Sequence, residues 1–236
     1  MAGDIRRFET REEATSVAAE VVLAGLKTAL EEKGRASFCV SGGSTPGPLF
    51  DLLAATEFGW ERVTVGLVDE RWVSPEDTSS NERLVRSRLL TKHAGAAGFI
   101  PMRTLHELPE EAVAERNAAY APHCAPLDVI LLGMGNDGHT ASWFPGAGGL
   151  ANALNPVGIE TVAAIDARGC PVAGINTQRM TLTGPAVASA QVALMLLFGN
   201  DKLDVYEQAK SADPMDMPVR YAIDKLGPRL TVIWAP

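Results

Sequence analysis

Short apolar runs alternate with helix-period segments along almost the whole chain, and that alternation restricts the fold more than any other feature. The runs at 37–40, 63–68, 127–132, 161–165, 180–183, 192–198 and 230–234 have the length and β-branched content of buried strands. Between them lie helical patterns. Thr10-Arg11-Glu12-Glu13 is a capping-box sequence followed by apolar residues at Ala14, Val17, Val21, Leu26 and Leu30, with Gly34 placed to end the helix. Pro46 suits the first turn of a second helix carrying Leu49, Leu52 and Leu53. Further helices are predicted at 81–90, from Pro109-Glu110-Glu111 onward, at 202–210 and at 219–226, whereas 145–158, rich in Gly, Pro and Asn, reads as loop. Strands separated by helices require crossover connections. The expected fold is therefore α/β, a mostly parallel sheet with helices on both faces, forming a single domain over residues 1–236.

The balance of 21 basic against 29 acidic residues gives a net charge of −8, which disfavours nucleic acid and anionic membrane surfaces as partners. The longest apolar run, 192–198, is far too short to span a bilayer, and the N-terminus lacks the apolar stretch of a signal peptide. Cys39, Cys124 and Cys170 are odd in number and lack C-x-x-C spacing, so neither a disulfide framework nor a zinc site is expected. These features predict a reduced, cytoplasmic protein. Its oligomeric state is not encoded in any recognisable signal.

Polar, glycine-rich stretches at 41–46, 69–71, 133–139 and 199–202 each begin where a predicted strand ends. In an open parallel sheet, ligands bind beyond the carboxyl ends of the strands, so these four stretches are expected to meet on one edge. Ser41-Gly42-Gly43-Ser44-Thr45-Pro46 joins a strand to a helix start. Its free amides, hydroxyls and helix dipole suit a phosphate, although an ordinary capped turn would look the same. It lacks the G-K-[ST] ending of a Walker loop.

Gly133-Met134-Gly135-Asn136-Asp137-Gly138 matches G-x-G-x-x-G in spelling only. Pro145-Gly146-Ala147-Gly148-Gly149 interrupts the helix that a dinucleotide site requires, so a nicotinamide dehydrogenase is set aside. What remains is a glycine loop presenting Asp137 and His139. His93, His106 and His123 lie in polar or helical surroundings and read as surface residues; His139, flanked by glycine, can approach a ligand as a general base, with Asp137 to orient it. Asp69 and Arg71 are expected over the same crevice, where Arg71 could bind an anion or stabilise developing negative charge. Arg179 and Lys202 are candidate phosphate ligands, with Arg168 an alternative to Arg179.

The segments Ser41-Gly42-Gly43-Ser44-Thr45-Pro46, Asp69-Glu70-Arg71, Ser80-Asn81, Leu132 through Ser142 and Arg179-Met180-Thr181-Leu182-Thr183, in this order, resemble the 6-phosphogluconolactonase family, part of a wider group with glucosamine-6-phosphate deaminase. The resemblance implies a doubly wound α/β fold and hydrolysis of 6-phospho-D-glucono-1,5-lactone in the oxidative pentose phosphate pathway. It implies that Gly42, Gly43, Ser44 and Thr45 hold the phosphate with Arg179 and Lys202, that His139 is the catalytic histidine with Asp137 beside it, and that Asp69 and Arg71 line the pocket. A small phosphosugar lactone is the implied partner, and no metal or organic cofactor is implied.

Deaminases resemble the same loop but continue with an acidic residue in an Asn-Glu-Pro sequence. This chain has Ser142-Trp143-Phe144-Pro145, without a carboxylate, and Trp143 replaces the leucine common in lactonases. A lactone is an activated ester, so water suffices as nucleophile, and no G-x-S-x-G elbow is present. A non-catalytic sugar-phosphate sensor on the same fold would keep the 41–45 cradle without needing His139, but no helix-turn-helix extension or basic segment accompanies it.

Overall fold

The computed structural model describes residues 5–236. Seven strands form a parallel sheet. In chain order these are β1 (Ile5–Arg7), β2 (Ala36–Val40), β3 (Val63–Leu67), β5 (Gly98–Phe99), β6 (Val129–Leu132), β9 (Val192–Phe198) and β10 (Leu230–Ala235), and in space they run β1-β10-β9-β6-β2-β3-β5. Every residue of β2 and β6 is buried. Because successive side chains point to opposite faces, unbroken burial means both faces are covered, as an all-parallel sheet requires. The helices are α1 (Arg11–Lys33), α2 (Gly47–Ala55), α3 (Asn81–Arg88), α4 (Pro109–Tyr120), α5 (Leu150–Ala153), α6 (Gly184–Ala188), α7 (Asn200–Ala209) and α8 (Val219–Leu226).

Helix ends follow the local chemistry. Thr10 Oγ1 accepts from the Glu13 amide at 3.2 Å to start α1, and Gly34 at φ +70° ends it. No helix among the described residues is long and apolar enough to cross a membrane. Cys39 and Cys124 are buried and Cys170 is half-buried, all as free thiols.

The strand order locates the site. From β2 the chain steps outward through β3 to β5, then returns to the other side of β2 as β6 and steps away through β9 and β10. The order reverses between β2 and β6. At such a switch point the loops leaving the two strands diverge and open a crevice. Here they are the 41–46 and 133–139 stretches. They remain tied at their roots: the Ser41 amide donates to Leu131 O at 3.0 Å, and the Gly133 amide to Ser41 Oγ at 3.3 Å.

The structure departs from the sequence reading beyond β3. Asp69–Arg71 does not end that strand; it forms β4, which leaves the main sheet. With β7 (Val162–Asp166) and β8 (Gln178–Leu182) it makes a second, antiparallel sheet in the order β4-β8-β7, pairing Arg71 with Arg179. Within the predicted 145–158 loop, 150–153 closes into the single turn of α5. Strands β1 and β5 and helix α6 are too short to announce themselves by periodicity.

Glu70, fully buried on β4, fixes that strand to α3. Its carboxylate accepts from the amides of Arg71 (2.7 Å), Asn81 (2.8 Å) and Glu82 (2.8 Å) and from Ser80 Oγ (3.0 Å). Burial pushes its carboxyl up despite these four donors. Glu70→Ala would strand all four, and a buried donor without its partner costs about 1–3 kcal/mol. Allowing for water entering the gap, the variant is expected to lose about 3 kcal/mol, a fall in Tm of roughly 6–12 °C for a chain of this size, measured by calorimetry.

Candidate active site

A cleft of about 350 Å³ opens at the switch point, within the range of small-ligand sites. Gly42, Gly43, Ser44, Thr45, Asp69, Arg71, His139, Arg179 and Lys202 all line it. Asp137 stands behind His139 instead of facing the cavity. Arg168 lies outside the cleft: its side chain is 77% exposed and pairs with Asp166, which leaves Arg179 as the arginine in position. His93, His106 and His123 do not line the cleft.

The 41–46 loop is built to receive an anion. Among the described residues, the amides of Gly42, Gly43, Ser44 and Thr45 have no acceptor, and they precede the N-terminus of α2. Gly43 takes φ +96°, a conformation that costs a side chain. At Gly42 a Cβ would lie 1.9 Å from Asn81 Oδ1, so glycine there admits the Asn81 amide. Asn81 Nδ2 in turn donates to Asp69 O at 2.8 Å and reaches Asp69 Oδ1 at 3.4 Å. Asp69, 7% exposed, also accepts from Ser142 Oγ at 2.6 Å. Sequence reasoning did not assign roles to Asn81 or Ser142; the position of Asn81 beside the Ser80 helix cap was the available signal.

Three cations offset the acidity of the chain at this point. Arg71 donates from Nη1 to Ser79 O, and its buried Nε lacks a partner among the described residues. Arg179 is 4% exposed, a residue of β8 instead of a surface cation before it. Its Nε donates to Asn176 O at 2.6 Å and Nη2 to Ala173 O at 2.8 Å, leaving Nη1 available. Lys202, in the first turn of α7, donates to Met134 O at 2.7 Å and so grips the glycine loop. Burial lowers the Lys202 ammonium below the usual lysine range, opposed by the Asp137 and Asp201 charges.

The glycine loop holds its histidine tightly. The Gly135 amide donates to His139 O at 2.8 Å, Thr140 Oγ1 donates to Gly133 O at 2.7 Å, and the Val219 amide of α8 donates to Gly138 O at 2.8 Å. Asp137 Oδ1 lies 2.6 Å from His139 Nδ1 and also accepts the His139 amide at 3.2 Å. Burial alone would raise the Asp137 carboxyl, but the His139 hydrogen bond and charge outweigh it and the net shift is downward. A carboxyl with a lowered folded pKa contributes fully above its unfolded value and is lost only as pH falls through the folded one. At neutral pH Asp137 is thus a pure acceptor, which puts the proton on Nδ1 and leaves the Nε2 lone pair free. That is the tautomer a base needs.

Trp143 packs into the core. Its ring is fully buried, Nε1 donates to Leu182 O at 2.9 Å, and it meets Tyr221 edge-on with centroids 5.9 Å apart.

The chain is similar to known proteins over nearly its whole length. The family model described as glucosamine-6-phosphate isomerases/6-phosphogluconolactonase matches residues 9–234. A protein of Xylella fastidiosa (strain Temecula1) named 6-phosphogluconolactonase is 43% identical over 206 residues, covering 87% of this chain and 84% of the relative. One of the same name from Rhizobium meliloti (strain 1021) is 39% identical over the full length of both. The crystal structure of a 6-phosphogluconolactonase from Shewanella baltica OS155 superposes with a TM-score of 0.92 at 34% identity, covering 99% of this chain and 98% of that one. With a family model matching residues 9–234 and a relative 39% identical over its full length, the chain belongs to the glucosamine-6-phosphate isomerase/6-phosphogluconolactonase family.

Proposed function

We propose that the cleft hydrolyses 6-phospho-D-glucono-1,5-lactone to 6-phospho-D-gluconate, the oxidative pentose phosphate step that the relatives' names imply, with water activated by His139. The observation that carries this reading is the Asp137–His139 pair at 2.6 Å, which presents a free Nε2 to a cleft equipped with an amide cradle.

The chain's own residues account for each requirement. The Gly42–Thr45 amides and hydroxyls hold the phosphate, aided by Lys202 and by Nη1 of Arg179. His139 Nε2 takes a proton from water as its oxygen bonds to C1. The tetrahedral oxyanion is met by Arg71 or a nearby backbone amide. The C1–ring-oxygen bond then breaks, the imidazolium returns its proton to the leaving oxygen, and the new carboxylic acid ionises in water. Asp69, held by Asn81 and Ser142, is placed to accept from a sugar hydroxyl. Ser142 occupies the loop where the deaminase pattern carries its acid, and its hydroxyl is committed to Asp69.

The test is direct. The lactone is generated in situ from glucose 6-phosphate and its loss followed against the uncatalysed rate; no acceleration by the protein would sink the reading. Lys202→Ala is expected mainly to raise KM, by roughly 10- to 100-fold, the value of a charge-assisted hydrogen bond. A fall in kcat with KM unchanged would reassign Lys202.

A further inference from the structure

The base is held at one ring nitrogen by Asp137, but a single hydrogen bond leaves the imidazole free to turn about that contact. We propose that Phe144 is the positioning residue that removes this freedom, so that His139 Nε2 is aimed into the cleft; the inference rests on the assignment of His139 as base. The Phe144 and His139 rings have centroids 4.4 Å apart and are tilted by 41°. Four residues separate them in sequence, and the chain must reverse to bring them together. It does so in a turn in which the Trp143 amide donates to Thr140 O at 3.0 Å and Ala141 takes φ +53°. A side chain in the left-handed region is kept only where its surroundings over-determine it. Here Trp143 is buried beneath the turn and tied to Leu182 O.

Phe144 is itself immobilised. It is 2% exposed, and Arg179 Cζ lies 5.4 Å from its ring centroid. Arg179 cannot yield, because its guanidinium is pinned by Asn176 O and Ala173 O. The ring thus packs against both a pinned cation and the imidazole. Phe144 is held by burial and Arg179 by two hydrogen bonds, so the phenyl ring limits how far the imidazole can turn about its bond to Asp137.

A displaced reacting group costs up to about 100-fold in rate. Phe144→Leu is therefore expected to lower kcat roughly 10- to 100-fold with KM within about threefold. Because Phe144 acts through His139, adding Phe144→Leu to His139→Ala should cost nothing further. The His139 ring protons, which feel the ring current of the adjacent phenyl, should move toward ordinary values in Phe144→Leu by NMR. A kcat near wild type, or an undiminished second loss on the His139→Ala background, would overturn the proposal. If Phe144→Leu does not fold, Phe144→Met carries the same expectations with a longer side chain to fill the gap. Wild-type turnover by His139→Ala would defeat the base assignment alone. Unchanged His139 proton shifts in the folded Phe144 variant would defeat the positioning whatever the activity.

Discussion

His139→Ala is expected to lower kcat by about 10²–10⁴-fold, the range general-base assistance supplies, while KM stays within about threefold. The split follows from where the side chain stands. The ring touches Asp137 and Phe144 and bounds the cleft, whereas the Gly42–Thr45 amides, Lys202 and Arg179 are the groups placed to hold a phosphate. Removing the imidazole leaves the cradle and its charges in place, so binding survives and proton transfer does not. Residual activity should remain above the solution rate, since orientation and the oxyanion contacts are retained. The measurement is steady-state hydrolysis of freshly generated lactone by wild type and variant side by side. A variant within fivefold of wild type would remove His139 from the mechanism and turn attention to Asp69, a buried carboxylate that lines the same cleft.

The two parts of this molecule differ in how openly the sequence shows them. The strand–loop–helix unit of β2, 41–46 and α2 is legible because each step has a local cause: an apolar run, a glycine pair, then a proline before helical periodicity. The glycine loop carrying Asp137 and His139 is legible for the same reason. Strand β4 is not. Asp69-Glu70-Arg71 looks like the polar end of β3, and its departure depends on Glu70 finding the amides at the start of α3, a contact with residues 10 to 12 positions away. Strands β7 and β8 are recognisable as strands, but pairing direction is decided by neighbours and leaves no local mark. Phe144 escapes notice because its proximity to His139 depends on a left-handed Ala141, where the residue type gives no warning. Asn81 reads as a helix start, and only the missing Cβ of Gly42 shows that its amide enters the cleft.

Gly135→Ala is expected to approach the His139→Ala loss in kcat without touching a reacting atom. A Cβ at position 135 would lie 2.1 Å from His139 Nδ1, 2.2 Å from Cε1 and 2.6 Å from Asp137 Oδ1. These distances are far inside van der Waals contact, so the added methyl and the Asp137–His139 hydrogen bond cannot coexist. The backbone at 135 is anchored by its amide to His139 O, which confines the adjustment to the side chains. The half-exposed imidazole has somewhere to go: it swings toward solvent, leaves Asp137, and takes Nε2 away from the cleft. The loss should therefore reach about 100-fold in kcat, the cost of a misplaced catalytic group, with Tm lowered by only a few degrees because no core packing is disturbed. NMR provides the separate check, since an imidazole released from Asp137 no longer keeps its proton on Nδ1 and its ring nitrogens report a mixture of tautomers. A Gly135→Ala protein with wild-type kcat and a single Nδ1–H tautomer would mean that the loop yields where the hydrogen-bond pattern holds it, and that the Asp137–His139 pair is not confined by glycine.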